Sequence, residues 1–578
     1  MFASPVEGAT FVVNSTVDAV DATPGDGVCA TAGGVCTLRA AIQEANRLSG
    51  THVITIPAGT YTLTITGRGE SSAATGDLNI ASGKNITING AGAATTIVDA
   101  NRIDRAFQSG GGSLTLNDLT VQNGDTAESG GCFLMTPGTQ LSVTRVIVKA
   151  CTGNTGGGIY LAGSAGLPSN LTVTDSTIAQ NVAVIAGGGL NVIGGANGIA
   201  TLNRTTFSGN SAQQGGGINS QATVTLANTT ISGNTATTAS GGAIFTGVTA
   251  GSTMTLVNVT IASNSSATAG AVRVSSPGQL QTRNSIIAYS AGTASSNCSG
   301  GGGGLGNNLE FPGTTCAFNL GSDRRDDPLL GALANNGGLT QTHSLGAGSP
   351  AIDIGDSATC AAPPVSGLDQ RGVARPAACD IGAYEAVATI PGVPTGLTAS
   401  SSGSSVTLAW IAPTSGTAPD TYFIEAGSAS GLADLANFST GTAATTFSAN
   451  NVARGTYFVR VRAGNAFGKS GPSNEAQLTV GDGACTAAPG PPSNLVVVSV
   501  NGGTVVLTWT ASAGAPTSYV VEAGSSPGGS NLATTDLGSA ATSLTAPGVN
   551  RGTYFVRIKG KNACGLGPAS NEVTFSVT

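Results

Sequence analysis

The sequence LTLNDLTV at residues 114–121 opens a pattern that returns six more times before residue 290. The later copies are LSVTRVIV at 141, LTVTDSTI at 171, ATLNRTTF at 200, VTLANTTI at 224, MTLVNVTI at 254 and LQTRNSII at 280. Successive starts differ by 27, 30, 29, 24, 30 and 26 residues, a period typical of one supersecondary unit stacked on the next. This region is therefore predicted to be a solenoid.

The apolar positions of the pattern indicate that the unit is built of strands. The first, third and eighth positions are apolar in nearly every copy, as Leu114, Leu116 and Val121 illustrate. Apolar residues two apart, with β-branched residues between them, predict strands with one buried face. A Gly-rich third strand follows in most copies, for example GGGIYL from residue 156. Three short strands per period and no helix between copies predict a parallel β-helix over residues 51–320, with coils about 4.8 Å apart.

The fifth position of the pattern is polar in every copy and lies at the bend between two strands. Side chains that recur in every coil can hydrogen-bond along the stack, so we interpret the column as a structural ladder rather than as catalytic residues. It consists of Asp118, Arg145, Asp175, Arg204, Asn228, Asn258 and Asn284. A second polar column follows the last strand of the pattern and consists of Asn181, Asn210, Asn234 and Asn264.

Composition narrows the class of protein. The 578 residues are enough for several domains, and 87 glycines with 9% charged and 4% aromatic residues are typical of a turn-rich β protein. A net charge of -7 argues against a nucleic-acid partner, because phosphate binding needs a basic surface. No apolar run suits a membrane span.

The ten cysteines fall in neighbouring pairs. An even count, no Cys-x-x-Cys and only two histidines favour disulfides over zinc, and hence an oxidising, extracellular compartment. The predicted pairs are Cys29 with Cys36, Cys132 with Cys151, Cys298 with Cys316, Cys360 with Cys379, and Cys485 with Cys564. Met1 does not open a signal sequence, so we expect any leader to lie outside this numbering.

Residues 1–50 end in VCTLRAAIQEANRLSG, which predicts a helix with Thr37 as N-cap and one apolar face. Such a helix would cover the exposed edge of the first coil. The segment resembles the CSLREA motif region of bacterial surface proteins, with Thr37 in place of the Ser and Ala40 in place of the Glu.

Other motifs carry further resemblances. FSGN at residue 207 and GGAI at residue 241 are similar to repeats of polymorphic outer-membrane proteins. Residues 321–386, with DDPLLGALANNGGLTQTHSLGAGSPAIDIGD and LDQRGVARPAACDIGAYE, resemble the C-terminal part of choice-of-anchor proteins. These resemblances imply a right-handed β-helix of the pectin-lyase-like fold, export and surface attachment, without an agreed activity.

The choice-of-anchor motif is predicted to close the last coil. An alternative hypothesis makes an active site of its polar residues, namely His343, Asp353, Asp369, Arg371 and Asp380.

After residue 386, GTYFVRVRAGNAFG from residue 455 returns as GTYFVRIKGKNACG from residue 552. Trp410 and Trp509 recur in strand-like surroundings, and so do Tyr457 and Tyr554. A buried Trp and a corner Tyr are typical of β-sandwiches. Residues 391–480 and 489–578 resemble fibronectin type III domains, so the whole chain is predicted to be all-β.

Two patches could carry function. The densest acidic turn holds Asp323, Asp326 and Asp327, which form either a calcium site, the one cofactor considered, or a solvated turn. Strand alternation also predicts an outward strip on the Gly-rich strands that either binds a glycan or is covered by loops. The strip consists of Tyr160, Asn191, Asn219, Phe245 and Arg273.

The favoured function is an exported bacterial surface or matrix protein that acts as an adhesin or scaffold, without catalysis, whose partner is an extracellular glycan or surface protein. One alternative is a polysaccharide lyase or hydrolase of the pectin-lyase-like fold, but such an enzyme needs paired carboxylates or a calcium-binding cluster, and acids are scarce in the coils. The other alternative is a self-assembling fibre subunit. The oligomeric state stays open.

Overall fold

The computed structural model describes residues 8–238, 240–247, 249, 251–267, 270–276, 278–292, 297–300, 302–346, 348–387, 389–465, 467–481 and 487–578. The chain forms two compact units, Met1–Ala386 and Val387–Thr578.

The first unit is a parallel β-helix. Each strand pairs in parallel with the equivalent strand of the next coil, so Leu114, Leu141 and Leu171 lie in one row. The first strands of the coils are Thr10–Val12, Thr51–Thr55, Lys84–Asn89, Gly112–Gln122, Thr139–Lys149, Ser169–Thr174, Leu190–Asn203, Ile218–Ala227, Thr253–Val257, Gln279–Arg283 and Gly303–Gly304. The second strands are Gly59–Thr62, Thr96–Asp99, the ends of Gly112–Gln122 and Thr139–Lys149, Thr177–Ala179, Thr206–Ser208, Thr230–Ser232, Thr260–Ala262, Ile286–Ala288 and Leu309–Phe311.

Six of the seven copies of the repeat, those from residue 141 onward, are followed by a fourth strand, which the three-strand prediction missed. These short strands form a separate parallel sheet made of Thr152–Thr155, Val182–Ala186, Ser211–Ala212, Thr235–Ala236, Ser265–Ser266 and Ala291–Gly292. The Gly-rich strands follow them in each coil. They are Leu78–Ile80, Phe107–Ser109, Phe133–Met135, Ile159–Ala162, the starts of Leu190–Asn203 and Ile218–Ala227, Ile244–Gly247, Val272–Ser275 and Cys298–Ser299.

The core of the β-helix lies between these strands. The alternation predicted for the repeat is confirmed, because Leu114, Leu116 and Val121 are fully buried. The inward residues of the Gly-rich strands, such as Ile159 and Ile218, are buried as well. All of them belong to one continuous apolar cluster, which is the main core of the β-helix. A smaller cluster joins the last coils to residues 351 and 381.

The predicted helix forms at Leu38–Arg47, and the Thr37 hydroxyl accepts a hydrogen bond from the Ala40 N–H at 3.1 Å. Its apolar face, including Ala41 and Ile42, is completely buried. The helix is not alone at this end, because the strand Thr10–Val12 pairs in parallel with Thr51–Thr55. The first coil is therefore covered by a helix and extended by one more strand.

The residues at the bend of the repeat share an unusual backbone conformation. All seven have left-handed φ angles between 45° and 58°, a region that Asn and Asp tolerate better than other residues with a side chain. They are Asp118, Arg145, Asp175, Arg204, Asn228, Asn258 and Asn284. Five of these positions hold Asn or Asp, which suit this backbone conformation. Arg145 and Arg204 adopt the same conformation at a cost in backbone energy.

Residues 321–386, which we call the return segment, do not simply close the last coil. They run back along the second strands of several coils. The Thr206 hydroxyl donates to the Gln341 carbonyl and the Thr230 hydroxyl to the Gln370 side chain, both at 2.6 Å. The return segment contains an antiparallel hairpin, Leu330–Ala334 with Thr342–Leu345, and the short helix Ser357–Ala361. The start of the segment also bonds to the last coil, because the Arg324 N–H donates to the Asn308 carbonyl at 2.7 Å. That the segment closes this coil therefore stays a prediction, to which the structure adds the contacts with the central coils.

The second unit contains two β-sandwiches, as predicted. In the first sandwich, one sheet has the three strands Thr395–Ser402, Ser405–Ile411 and Thr446–Ala449. The other sheet has the five strands Ala436–Ser439, Thr421–Gly427, Gly455–Asn465, Gly468–Lys469 and Ala476–Val480. In the second sandwich, one sheet has the three strands Ser493–Asn501, Thr504–Thr510 and Ser543–Ala546. The other sheet has the five strands Ala533–Asp536, Ser518–Gly524, Gly552–Asn562, Gly565–Ala569 and Val573–Val577.

Both sandwiches contain the expected aromatic residues. Trp410 and Trp509 are buried, each in edge-on contact with a tyrosine. The hydroxyl of Tyr457 donates to the carbonyl of Ala453 at 2.7 Å. Tyr554 makes the equivalent bond to Asn550 at 2.8 Å, so both domains have the tyrosine corner.

Candidate functional site

The predicted strip on the Gly-rich strands lies in one row. Its members come from five successive coils and are joined by four in-register pairings; they are Tyr160, Asn191, Asn219, Phe245 and Arg273. The two rings and Arg273 are half-buried. Burial raises the pKa of the Tyr160 hydroxyl, so this side chain is neutral and can donate a hydrogen bond at neutral pH.

The two amides of the strip do not face solvent as expected. Asn191 is 3% exposed and Asn219 is 1% exposed. The Asn219 amide donates to the Asn191 side-chain oxygen at 2.6 Å, and the row places this pair between the larger rings of Tyr160 and Phe245. Alternation predicted solvent-facing amides in this row, but both are buried and bonded to each other. Arg273 is also engaged, because it donates to the Ser299 hydroxyl at 2.6 Å.

The polar column at the bend forms separate pairs rather than one continuous ladder. Arg145 makes a bidentate ion pair with Asp118, both contacts at 2.6 Å. Arg204 makes the same contact with Asp175 at 2.6 and 2.8 Å. The hydrogen bond from Arg145 lowers the pKa of Asp118. All four charges are matched within the column, so we assign them a structural role.

The three amides of this column are covered by the return segment. Asn258 donates to the carbonyl of Asp380 at 3.3 Å, and Asn284 donates to the carbonyl of Asp356 at 3.2 Å. Asn228 accepts from Arg375 at 3.3 Å. These bonds attach the return segment to the coils.

The three acids of the acidic turn make separate contacts. Asp323 accepts from the backbone N–H groups of Asn308 and Leu320, at 2.9 Å each. Asp327 accepts from the hydroxyl of Tyr289, while Asp326 is exposed. Across the described part of the chain, no three His, Cys, Asp or Glu side chains converge on a common point. We therefore make no calcium proposal for Asp323, Asp326 and Asp327.

The five residues of the alternative active site in the return segment lie in two separate places. Asp369, Arg371 and Asp380 belong to a buried charge cluster. Asp369 pairs with Arg371 at 2.8 Å, and the Asp380 side chain accepts from the backbone N–H of Asp353 at 2.8 Å. His343 lies apart from them, in the hairpin of the return segment.

The centre of the charge cluster is a pair that the sequence did not single out. Arg375 Nη1 donates to Glu385 Oε2 at 2.8 Å, and both side chains are almost completely buried. Burial raises the pKa of Asp380. The carboxylates also accept hydrogen bonds from the backbone. The Asp380 N–H donates to the Glu385 side chain, and the Glu385 N–H donates to the Asp369 side chain. The cluster therefore serves to hold the return segment together.

His343 lines a cavity of about 350 Å³ between the hairpin and the coils. Its other lining residues are Ser232, Ser263, Tyr289, Leu330, Gly331, Ala332 and Leu333. His343 Nδ1 lies 2.7 Å from the Gly331 carbonyl oxygen, and Nε2 lies 2.9 Å from Ser232 Oγ. Burial lowers the pKa of His343, so the ring is neutral at pH 7. The sequence analysis did not identify Ser232 as a site residue, because a single serine after Ile231 does not stand out from the other residues of the repeat.

Four of the predicted cysteine pairs are bonded. They are Cys29 with Cys36, Cys132 with Cys151, Cys298 with Cys316, and Cys360 with Cys379. Cys564 is also disulfide-bonded. Its predicted partner, Cys485, lies outside the described residues.

Comparison with known proteins identifies one domain. Residues 490–576 match the fibronectin type III domain family, within the second predicted sandwich. No curated protein matches the chain. One similar solved structure is the crystal structure of chicken CNTN1 FN1-FN3 domains, at 15% identity, with 33% of this chain and 68% of that chain covered and a TM-score of 0.16. In the described residues, no helix is long and apolar enough to span a membrane.

Proposed function

We propose that this protein is an exported bacterial surface or matrix scaffold, in which the fibronectin type III domains bind protein partners and the β-helix binds a glycan. The observation that supports it best is the fibronectin type III match at residues 490–576, a domain type often used for protein interaction. Disulfides in the β-helix are consistent with an oxidising environment outside the cell. The resemblances to CSLREA, choice-of-anchor and pectin-lyase-like proteins agree with this proposal.

Glycan binding is proposed for the strip around Tyr160 and Phe245. Aromatic side chains that are only half-buried suit the apolar faces of sugar rings, and the Tyr160 hydroxyl can bond to a sugar hydroxyl. The side chains of Asn191 and Asn219, which hydrogen-bond to each other, occupy the two positions of the row between the rings. The strip holds no acidic side chain, so a bound glycan would be held without cleavage of its glycosidic bonds.

The test is retention of the full chain on a glycan array. Tyr160→Ala and Phe245→Ala should each abolish retention while thermal unfolding is unchanged. Phe438→Ala is the matched control, because Phe438 is a 40% exposed ring outside the strip, and it should retain binding. Equal retention by all variants would rule out the strip.

A second assay addresses the alternative of a depolymerising enzyme. The full chain is incubated with acidic and neutral polysaccharides, with and without calcium. We expect no unsaturated or reducing ends to appear. Their release would replace the scaffold proposal with a polysaccharide lyase or hydrolase.

A further inference from the structure

We propose that Ser232 and His343 form a nucleophile and base pair that hydrolyses small carboxylic esters in the cavity beneath the hairpin. Both residues line the cavity of about 350 Å³. They come from distant parts of the chain, Ser232 from a second strand of the coils and His343 from the return segment. The return segment therefore completes a site that neither part contains alone.

The hydrogen bonds determine which atom carries each proton. The Gly331 carbonyl can only accept, so His343 Nδ1 must carry a hydrogen and donate to it at 2.7 Å. In the neutral ring, Nε2 then has a free lone pair and accepts from the Ser232 hydroxyl at 2.9 Å. This is the arrangement of an activated serine, with a base beside the hydroxyl and a third group that orients the base.

Packing does not require a hydroxyl at position 232. In the parallel ladder, Ser232 is followed by Ala262 and then by Ala288 at the equivalent position. Alanine therefore fits this row. The other hydroxyls that attach the return segment to the coils bond to groups that are not bases, as Thr206 does with the Gln341 carbonyl.

The cavity suits a short acyl group. Leu330, Ala332 and Leu333 supply apolar surface on the hairpin side, which suits a hydrocarbon chain of a few carbons. The exposed Ser263 also lines the cavity, and its hydroxyl is a donor that a developing oxyanion can use. The Tyr289 hydroxyl is already committed, because it donates to Asp327.

The reaction proceeds in two steps. Ser232 Oγ attacks the ester carbonyl carbon while His343 Nε2 takes the hydroxyl proton. The bond between the carbonyl carbon and the alkoxy oxygen breaks, and the leaving alcohol receives the proton from Nε2. Water then attacks the acyl carbon and gives a proton to His343 Nε2. The bond between the acyl carbon and Ser232 Oγ breaks, the carboxylic acid leaves, and Oγ recovers the proton from Nε2.

The experiment measures hydrolysis of p-nitrophenyl acetate and p-nitrophenyl butyrate by the full chain. We expect turnover above the rate in buffer, and Ser232→Ala or His343→Gln should reduce kcat/KM at least 100-fold. Ser208→Ala is the matched control, since Ser208 occupies the equivalent position one coil earlier and does not line the cavity. Turnover that survives Ser232→Ala would overturn the proposal, as would no turnover by the wild-type chain.

Covalent labelling gives a second readout that does not depend on the substrate chosen. A fluorophosphonate probe should modify the folded wild-type chain at Ser232, as found by peptide mass spectrometry. His343→Gln should slow this labelling while the thermal unfolding transition stays in place. Labelling that spreads over other serines, or that is absent from Ser232, would contradict the proposal. This result comes from the wild-type chain and so does not depend on whether the variants fold.

Discussion

Asn234 Oδ1 accepts two hydrogen bonds from Asn210 of the preceding coil, one from its backbone N–H and one from its side-chain amide, both at 2.9 Å. Asn234 repeats the same pair of bonds toward Asn264 in the next coil. All three side chains are fully buried. The column predicted from the repeat is thus a ladder in which each amide satisfies its neighbour's backbone.

Replacing Asn234 with alanine should lower the free energy of unfolding of the β-helix. The change leaves the Asn210 donors and the Phe207 carbonyl without their partner, and each buried unsatisfied group costs about 1–3 kcal/mol. Denaturant unfolding followed by circular dichroism measures the loss. Asn170→Ala is the control, because half-buried Asn170 makes a single amide bond to Gln140. A loss no larger than that of the control would contradict the ladder.

Asp77 should make the β-helix less stable as the pH rises. Burial, and next the carboxylate of Asp104, raise the pKa of Asp77 to about 7. This pKa is above the usual value of 3.8, so the folded chain binds the proton more tightly than the unfolded chain does. Proton binding therefore stabilises the fold fully below pH 3.8, and this stabilisation is lost as the pH rises through 7. Asp77→Asn should therefore raise the melting temperature at pH 7.5 relative to wild type, with little effect at pH 4.

Asp118→Asn is a control of opposite sign for this pH series. The Arg145 hydrogen bond lowers the pKa of Asp118, so its stabilisation is present at neutral pH and lost in acid. The pair is partly exposed, so the effect should be at most about 1 kcal/mol. A fall in melting temperature at pH 7.5 for Asp77→Asn would show that this carboxyl is charged and well paired.

Arg375→Met should detach the return segment or unfold it. The change leaves the Glu385 carboxylate buried without its cation, which costs about 3–5 kcal/mol for a buried pair. Thermal unfolding and limited proteolysis near residue 370 measure the effect. Arg145→Met removes an exposed arginine from an ion pair and should cost at most about 1 kcal/mol. Similar losses in both variants would contradict a special role for the buried pair.

Removing one disulfide should destabilise the last coil. Cys298 and Cys316 are separated by 18 residues, and closing a loop of this size stabilises by about 3 kcal/mol. The double variant with serine at both positions should unfold at correspondingly lower denaturant concentration. Thiol titration of the unfolded, unreduced wild-type chain should detect no free cysteine. Reactive thiols there would show that at least one predicted pair does not form.

The repeat predicted the inner face of the coils well, because burial of one side of a strand leaves a two-residue alternation in the sequence. Leu116 and Val121 were placed correctly for this reason. The short strands left no such signal. Ser211–Ala212 and Thr235–Ala236 have two residues each, and they are strands because the coils stack there.

The candidate sites were less predictable because they depend on contacts between distant residues. Alternation predicted that Asn191 faces solvent but could not reveal that it is buried and bonded to Asn219 of the next coil. The contact of Ser232 with His343 joins residues 111 positions apart. Local patterns do not encode such distances, and the return segment has no repeat to align with the coils.

The return segment also constrains the order in which this unit can fold. Stacked repeats can add one coil at a time, because each contacts mainly its neighbours. Thr206 and Gln341, however, are 135 positions apart, and Thr230 and Gln370 are 140 apart. During synthesis from the N-terminus, the central coils keep one polar side uncovered until the chain has been made to about residue 385. Completion of this unit is therefore a single late event that joins its middle to its end.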